Sequence, residues 1–374
     1  MKILLNAHLL SAQLGYRSAG IHGYIYNTLS QLSQVAPDDW SFTAFVGAKN
    51  PHRFDGISLA PVGWDTTSPL KRIVWEQTIQ PIRLRGGDLL HSMTFVSPLI
   101  QPIPSVVTVY DLSFVHYPQV LSASRRLYLR MFTALSCKRA ERVITISEST
   151  ARDVATTFGI SPEKIDVAPC GYDSARFYPI DKHIIADFKT QKGLPDRFWL
   201  FIGTLEPRKN LTTLLDAYAM LPKNKRLPLL LGGGKGWLYE DIFERITRYG
   251  LQDDVRLLGF LPADELPLWY NSAEAFLYPS IFEGFGLPVL EAMACGVPVV
   301  ISDASSLPEV GANAGLCLPP HDVMAWHDAL VRIIDDADWR AEASAKGLTE
   351  AQRYSWQKTA LATIQSYKKV FKSE

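Results

Sequence analysis

The sequence predicts an α/β protein with two doubly wound domains, and three observations support this. Short apolar runs typical of buried parallel strands alternate with amphipathic helical segments along the chain. A length of 374 residues exceeds the usual size of one domain. The segment GYDSARFYP at 171–179 is rich in turn formers, and the alternation begins again after it. We therefore place one domain at 1–175 and a second at 176–354, facing each other across a cleft.

The first strand is predicted at Ile3–Leu10, followed by a loop at Ser11–Gly20 and a helix at Ile21–Val35 with apolar residues at helical spacing. Glycine in such a loop lets the backbone approach an anion, so Gly20 is a candidate ligand contact. A plain strand-to-helix turn explains the same residues, because the full G-x-G-x-x-G spacing is absent. Further strands are predicted at 42–46, 89–91, 106–110 and 143–146, and a helix capped by Ser147 at 148–158.

Tyr110 and Asp111 lie at the end of one of these strands. In an open parallel sheet the residues just past the strand carboxyl ends face the ligand crevice, so both are site candidates. Asp111 suits the cap of a helix or turn as well, and both interpretations stay open.

The segment 124–142 (SRRLYLRMFTALSCKRAER) carries six basic residues with apolar residues between them. A basic amphipathic helix can lie on an anionic membrane surface. A solvated outer helix shows the same pattern, so peripheral membrane contact through 124–142 is one of two open interpretations.

The second domain begins with a predicted strand at Trp199–Gly203. After a short loop, Asn210 is predicted to cap a helix at Leu211–Leu221. Arg208 and Lys209 stand just before this helix, although cations are unfavourable at the positive end of a helix dipole. We therefore expect an anion between them, and a phosphate or diphosphate fits best. Side chains that simply extend into water are the alternative.

Glycines follow the next strand, which is predicted at Leu227–Leu231. The run at 232–234 provides a backbone that a ligand can approach closely, so Gly233 is a candidate contact. A further strand is predicted at Val255–Leu258, with its turn at the same edge of the sheet.

The stretch 275–302 (AFLYPSIFEGFGLPVLEAMACGVPVVIS) has the pattern of strand, loop, helix and parallel strand. Glu283 lies in the loop and Glu291 about one turn into the helix. The N-terminus of this helix offers three backbone N–H groups that can hold oxygens, those of Phe285, Gly286 and Leu287. This arrangement predicts a binding surface for a polyhydroxylated, phosphorylated ligand.

Composition limits the classes of function. Equal numbers of basic and acidic residues, 38 each, argue against a nucleic-acid binder. Four cysteines without C-x-x-C spacing indicate neither a zinc ribbon nor a disulfide framework, so a reducing compartment is expected. The sequence shows no signal-peptide core and no apolar run of about 20 residues. We expect a cytoplasmic protein that is soluble or peripheral at the inner face of the membrane.

These motifs together resemble the retaining glycosyltransferases of family 4 with GT-B architecture, which has two Rossmann-like domains facing across a cleft. The segment EGFGLPVLE at 283–291 resembles the family's E-x7-E signature. GTLEPRKN at 203–210, which includes Gly203 and Thr204, resembles its donor-phosphate loop. The resemblance also implies that the domain at 1–175 holds mainly the acceptor and the domain at 176–354 mainly the nucleotide sugar. The last helix, within 355–374, would pack back on the first domain.

The resemblance implies a metal-independent hexosyltransferase without cofactors that acts with retention on a nucleotide diphosphate sugar. A saccharide or lipid-linked saccharide would be the acceptor, as in polysaccharide biosynthesis. Glu283 would contact hydroxyls of the transferred sugar, and Glu291 the ribose or neighbouring hydroxyls. Arg208 and Lys209 would hold the diphosphate and stabilise its developing charge. Asp111 would orient the acceptor hydroxyl, and backbone amides of Gly20 and 285–287 would assist.

Two departures from the family pattern are visible. Tyr110 stands where many relatives have histidine, so a donor-sugar contact is either lost or made by the tyrosine hydroxyl. Thr204 follows Gly203 where some relatives have arginine, which leaves Arg208 to supply the second positive charge. The loop at 204–210 resembles those of mannosyltransferases, and GDP-mannose is therefore the expected donor.

Other classes of protein share parts of this pattern. A metal-dependent transferase would use an Asp-x-Asp pair, and Asp336-Ala337-Asp338 has that spacing within a helical pattern. A nicotinamide oxidoreductase would need a G-x-G-x-x-G motif, which neither half supplies. A non-catalytic nucleotide-sugar binding protein and a sugar-nucleotide epimerase remain alternatives on the same architecture.

Overall fold

The computed structural model describes residues 1–10, 20–48, 50–63, 66 and 68–371. The chain divides into two compact units, one formed by Met1–Gly171 with Trp356–Glu374 and the other by Tyr172–Ser355. The boundary between the two units therefore falls after Gly171, whereas the predicted boundary between the two domains was after residue 175. Most of the predicted loop at Ser11–Gly20 lies outside the described residues.

The first unit contains a seven-stranded sheet in which every neighbouring pair is parallel. Its strands are β1 (Lys2–Asn6), β2 (Ser41–Val46), β3 (Ile57–Pro61), β4 (Leu89–Ser92), β5 (Ser105–Val109), β6 (Arg142–Thr145) and β7 (Ile165–Val167). Their order is β3-β2-β1-β4-β5-β6-β7. The order reverses at β1, so the gap between the carboxyl ends of β1 and β4 is the topological switch point, where such sheets bind ligands.

The predicted first strand is too long. The backbone leaves the sheet after Asn6 and turns, since the Leu10 N–H donates to the Ala7 carbonyl oxygen at 3.0 Å. The apolar residues of this turn pack as core residues, and for that reason they continue the hydrophobic pattern of the strand. The hydrophobic pattern alone therefore does not separate a strand from a buried turn that follows it.

Helices cover both faces of this sheet. They include α1 (Ile21–Val35), α2 (Pro69–Val74), α3 (Gln80–Arg83), α4 (Ser113–His116), α5 (Ala123–Arg139) and α6 (Glu148–Phe158). A π-helical turn, Trp75–Ile79, joins α2 to α3. The predicted bounds of α1 and α6 are confirmed, and the Ser147 hydroxyl oxygen accepts from the Thr150 N–H at 3.0 Å as the expected cap.

The second unit contains a six-stranded parallel sheet. Its strands are β8 (Trp199–Ile202), β9 (Leu229–Gly232), β10 (Val255–Gly259), β11 (Ala275–Tyr278), β12 (Val299–Ser302) and β13 (Leu316–Leu318). They follow the order β10-β9-β8-β11-β12-β13, which reverses at β8. The switch point of this unit is therefore the gap between the carboxyl ends of β8 and β11.

The remaining helices complete the two units. The second unit contains α7 (Lys182–Lys192), α8 (Leu211–Ala219), α9 (Glu240–Arg248), α10 (Leu266–Ser272), α11 (Leu287–Ala294), α12 (Leu307–Gly311), α13 (Val323–Asp335) and α14 (Ala337–Ala351). The last helix, α15 (Trp356–Phe371), belongs to the first unit and packs against α1. Its Ala360, Ile364 and Tyr367 lie in one apolar cluster with Ile25 and Leu29.

Two predicted features have other roles in the structure. Asn210 precedes α8 but does not cap a backbone N–H of it, because its Oδ1 accepts from the Thr213 hydroxyl at 2.8 Å instead. Its amide nitrogen donates to the carbonyl oxygens of Pro279 (3.2 Å) and Pro320 (2.6 Å). Asp336 lies between two helices, where its carboxylate accepts from the Trp339 N–H at 2.8 Å and caps α14. The Asp-x-Asp spacing thus arises from a helix cap rather than from a strand end.

The described ranges contain neither a membrane-spanning helix nor a metal-binding cluster. None of the helices there has the length and apolar character that a membrane span needs. No group of three or more His, Cys, Asp or Glu side chains is arranged to hold a metal ion in that part of the chain.

Candidate active site

The two predicted cations, Arg208 and Lys209, lie in a short 3-10 turn, Pro207–Lys209, between β8 and α8. The turn is closed by Asn210, whose backbone adopts a left-handed conformation with φ of 53°. Asparagine tolerates this conformation better than most residues. The turn therefore places both cations just beyond the carboxyl end of β8, at the switch point of the second unit.

Glu283 reaches the same place from the loop that follows β11. Its Oε2 accepts from Arg208 at 3.0 Å, and its Oε1 accepts from the buried Lys209 ammonium at 2.5 Å. Arg208 also forms an ion pair with Glu206 at 2.6 Å. The structure thus joins residues that are about 75 positions apart in the sequence into one ion-pair network.

The network is internally neutral, with two cations and two carboxylates. Burial opposes ionisation of Glu283, but the charges of Lys209 and Arg208 outweigh it and lower the pKa of its carboxyl to about 2. The expected anion between the cations is therefore a carboxylate of the chain itself. A ligand phosphate is not needed to explain why cations stand before α8.

Hydroxyl groups hold the loop that carries Glu283. The Ser280 hydroxyl donates to Glu283 Oε1 at 2.6 Å, and Lys209 Nζ donates to the Tyr278 hydroxyl oxygen at 2.7 Å. From the loop after β12, the hydroxyls of Ser305 and Ser306 donate to the Glu283 carbonyl oxygen at 2.7 and 3.0 Å. None of these four residues was among the predicted site residues. Tyr278 is the last residue of β11 and the three serines follow strand ends, which was the signal that could have identified them.

The predicted helix N-terminus is formed by α11. Gly286 precedes it with φ of 114°, and a Cβ there would lie 2.8 Å from Leu307 Cδ2, so glycine is required. Phe285 is buried, whereas Leu287 is half-buried. The three residues thus form a tight turn between Glu283 and the first turn of α11.

Glu291 has a different environment from Glu283. One of its oxygens accepts from the Tyr270 hydroxyl at 2.9 Å. Burial raises the pKa of the Glu291 carboxyl to about 7, although the Tyr270 hydrogen bond and the charge of Arg176 oppose the rise. The two predicted carboxylates therefore differ in protonation, with Glu283 ionised and Glu291 titrating near neutral pH.

Gly233 lies where the loop after β9 meets the loop after β8. Its φ is 138°, and a Cβ would lie 1.9 Å from the Gly203 carbonyl oxygen. The close backbone approach that glycine allows here is made by the protein itself. Gly203 and Gly233 are thus brought together at the sheet edge, and Thr204 follows them in the half-buried loop.

Three predicted site residues belong to the first unit, and two of them, Tyr110 and Asp111, already have hydrogen-bond partners within it. Tyr110 is buried, and its hydroxyl donates to the Met93 carbonyl oxygen at 2.7 Å, so this hydroxyl is already used within the unit. The Asp111 Oδ1 accepts from the Ser113 N–H at 2.8 Å, which is the turn-capping role. Gly20 is exposed at the start of α1, and its φ of −87° lies outside the left-handed region that favours glycine.

Two doubly wound parallel units, one of which carries cations and carboxylates at its switch point, are typical of proteins with the GT-B fold. The structure of Anabaena HepE in complex with UDP and glucose has a TM-score of 0.74 and 21% identity to this chain, and it covers 100% of both chains. At this identity the likeness concerns the fold.

Sequence comparison identifies the family. Residues 36–176 match Glycosyltransferase Family 4, and residues 184–349 match Glycosyl transferases group 1. O-antigen chain mannosyltransferase B of Escherichia coli is 35% identical over 266 residues, covering 71% of this chain and 70% of that protein. O-antigen chain mannosyltransferase RfbU of Salmonella typhimurium is 28% identical over 338 residues, covering 86% and 89%. The chain belongs to the group 1 glycosyltransferases of family 4 and is a transferase.

The ion pair between Lys209 and Glu283 should contribute to stability. Lys209→Met would leave the buried Glu283 carboxylate with Arg208 as its remaining cationic partner, and we expect the free energy of unfolding to fall by about 3 kcal/mol. Lys192→Met is the matched control, because Lys192 pairs with Glu265 at 2.7 Å on the surface. This control should lower the free energy of unfolding by about 1 kcal/mol or less. Equal shifts of the urea midpoint in both variants would contradict the assignment.

Glu291 should make stability depend on pH. The folded carboxyl keeps its proton up to about pH 7, whereas the unfolded one loses it near 4.5. Between these values the folded state binds more protons, so its stability falls as pH rises. The free energy of unfolding of Glu291→Gln, taken relative to that of the wild type, should therefore rise by on the order of 2 kcal/mol between pH 5 and pH 8. Urea unfolding at several pH values measures this, with exposed Glu244→Gln as the control. If the difference in free energy of unfolding between Glu291→Gln and the wild type is constant across this range, the assignment to Glu291 is refuted.

Proposed function

We propose that this protein transfers mannose, with retention, from GDP-mannose to a saccharide or lipid-linked saccharide without a metal ion. The observation that carries the proposal is the Arg208–Glu283–Lys209 network at the switch point of the second unit. Its cations can meet a diphosphate and its carboxylate can meet sugar hydroxyls. Donor binding at one sheet edge therefore accounts for both kinds of side chain.

The donor would rearrange the network rather than enter a preformed anion site. A diphosphate competes with Glu283 for Arg208 and Lys209, because each cation is already paired. Once the cations turn to phosphate oxygens, Glu283 is free to accept hydrogen bonds from the sugar. Binding thus exchanges one charge-assisted hydrogen bond for another, and the buried carboxylate keeps a partner throughout.

Transfer breaks the bond between the sugar anomeric carbon and the phosphate oxygen, and negative charge develops on the diphosphate. Arg208 and Lys209 would stabilise that charge, which is the role a metal ion fills in other transferases. The acceptor hydroxyl would attack from the face that the diphosphate leaves and pass its proton to a phosphate oxygen. This geometry accounts for retention without a protein base.

Glu291 would contact the nucleoside through the ribose hydroxyls. Its pKa near 7 means that the carboxylate form, which accepts from both hydroxyls, is available at neutral pH. Glu283 and Glu291 would then hold the two ends of one donor at the separation fixed by α11. Mannose is chosen because the relatives named above are mannosyltransferases. GDP is chosen because of the resemblance of the loop at 204–210.

A membrane-facing surface on the first unit fits a lipid-linked acceptor. The helical segment α2–α3 and helix α5 pack on the same face of the sheet, through Leu4 and Leu90 in one case and Val107 and Val143 in the other. The loop between β4 and β5 is tied to both, since the Leu99 N–H donates to Gln77 and its carbonyl oxygen accepts from Arg139. The three elements therefore form one outer surface.

This surface combines apolar and basic side chains. Its exposed apolar residues are Leu70, Val74, Ile82, Ile100, Leu127, Met131 and Leu135. The helical residues 69–83 and 123–139 carry eight basic side chains and one acid, Glu76, which is buried. Exposed apolar side chains with a basic rim suit the headgroup region of an anionic bilayer. We include peripheral contact at the cytoplasmic face of a membrane in the proposal, with 124–142 as its centre.

The donor assignment predicts the outcome of a substrate panel. Wild-type protein incubated with GDP-mannose, UDP-glucose or UDP-galactose and mannose-terminated acceptors should release nucleoside diphosphate fastest with GDP-mannose, with and without EDTA. Glu283→Gln should lower turnover about 100-fold, because it removes a contact made in the transition state. Its GDP affinity should stay equal or rise, since the cations lose a competitor. Glu244→Gln is the control.

Two results would contradict this assignment. Unchanged turnover in Glu283→Gln would remove Glu283 from the site. GDP binding without nucleoside diphosphate release from any donor would favour a non-catalytic nucleotide-sugar binding protein.

The membrane surface predicts selective vesicle binding. Wild-type protein should sediment with vesicles of equal parts phosphatidylcholine and phosphatidylglycerol but not with phosphatidylcholine alone, and salt should release it. The double variant Leu127→Glu and Met131→Glu should lose about tenfold or more in affinity, because it removes apolar area and adds negative charge. Met324→Glu, at a residue that is 53% exposed elsewhere, is the matched control. Equal binding by both variants would contradict this surface.

A further inference from the structure

Arg208 lies between two carboxylates, which contact different edges of its guanidinium group. Its Nε and Nη2 donate to Glu206 Oε1 at 3.0 and 2.6 Å. Its Nη1 donates to Glu283 Oε2 at 3.0 Å and to the Phe282 carbonyl oxygen at 2.6 Å. Glu206 is buried, whereas Arg208 is half-buried. Because the two carboxylates use different edges, Arg208 can lose Glu283 as a partner and keep Glu206.

The backbone of Glu206 is held on both sides. Before it, the Leu205 carbonyl oxygen accepts from the Gly236 N–H at 2.9 Å. At Glu206 itself, the carbonyl oxygen accepts from the Lys209 N–H at 2.9 Å and closes the 3-10 turn. A Cβ on Gly236 would lie 3.1 Å from Glu206 Cβ, so the loop after β9 packs directly against this residue. The backbone of Glu206 is therefore fixed when side chains nearby rearrange.

A bound diphosphate would affect the two carboxylates differently. In the proposed function it displaces Glu283 from Nη1 of Arg208 and from Lys209, and Glu283 turns to the sugar. Glu206 accepts from the other edge of the guanidinium group, so the diphosphate has no need to displace it. The charge of Glu206 therefore stays beside the bound diphosphate, and like charges at short range repel.

Glu206 also reduces what both cations offer to a phosphate. It forms an ion pair with Arg208 at 2.6 Å. Burial lowers the pKa of Lys209, and the negative charges of Glu283 and Glu206 oppose this effect. A cation that shares its charge with a carboxylate attracts a phosphate less strongly. When the sugar leaves, the diphosphate gains one more ionisable oxygen than it had in the donor, so Glu206 repels the product more than the donor.

We propose that Glu206 limits the affinity of the site for the released nucleoside diphosphate and thereby promotes product release. The inference rests on the proposed transferase function and concerns the step after the bond between sugar and phosphate has broken. Release of product limits the turnover of many enzymes. Glu206 acts through Arg208 and through its own charge, and the bond-breaking chemistry remains with the groups that contact the donor.

Glu206→Gln tests the inference, because it removes the charge and keeps an oxygen that can accept from Arg208. We expect isothermal titration to show about tenfold or more tighter binding of GDP or UDP, whichever the wild type binds better. Glu206→Asp keeps the charge and should bind the same diphosphate more weakly than Glu206→Gln does. Asp216→Asn is the matched control, because Asp216 pairs with Arg245 at 2.8 Å on another part of the same unit. It should change the affinity by about twofold or less.

Turnover separates a role in product release from a role in chemistry. With GDP-mannose as donor, Glu206→Gln should lower kcat about threefold or more and lower KM for the donor in proportion, so that kcat/KM does not fall. Rapid-quench measurement should show a burst of glycosylated product in the first turnover, followed by a slower steady state. A group needed for the folded site or for bond breaking would lower kcat/KM instead.

Unchanged or weaker diphosphate binding by Glu206→Gln would overturn the inference, and a fall in kcat/KM would overturn the role in release. If Glu206→Gln does not fold, Glu206→Met, which has a similar length and no charge, replaces it in the same titrations. If the wild type releases no nucleoside diphosphate from any donor, the proposed function fails, and the titrations still decide whether Glu206 limits diphosphate affinity. If neither GDP nor UDP binds the wild type or the variant, both proposals fail.

Discussion

The second unit depends on one electrostatic constraint, which is that the buried Lys209 ammonium and the Glu283 carboxylate must lie together. Either charge alone would be costly to bury, whereas the pair with Arg208 and Glu206 is neutral. This requirement links the turn after β8 to the loop after β11. The serine hydroxyls after β11 and β12 then have a clear function, since they hold that loop in place and satisfy the remaining oxygens of Glu283.

Both units follow the same topological rule but satisfy their polar groups differently. Each sheet reverses its strand order at its first strand, which opens a gap between two carboxyl ends. In the second unit the gap is filled by a network in which each charge has a partner. In the first unit the corresponding gap holds His8 and Gln80, each with a side-chain nitrogen that has no hydrogen-bond partner among the described residues.

The two carboxylates of the E-x7-E segment show how environment separates chemically identical groups. Glu283 lies between cations and stays ionised, whereas Glu291 lies in a buried position beside Tyr270 and titrates near pH 7. Neither environment follows from the spacing of the two residues. A third carboxyl, Glu76, has a pKa near 7 for the same reason as Glu291, namely burial, although it belongs to the other unit.

The sequence by itself determined the architecture, because periodicity reports directly on strands and helices. The bounds of α1 and α6, for example, follow from it. It also brought forward Arg208, Lys209, Glu283 and Glu291, whose positions after strands and at helix ends are visible in the linear order. Tertiary structure alone decided their partners. The counter-charge of Lys209 comes from a residue about 75 positions away, and the Tyr110 hydroxyl is used by Met93. The burial of His8 and Glu76 was not predicted, because burial of a polar group leaves no periodic pattern. Only the packing of the strand edge against the π-helical turn removes them from water.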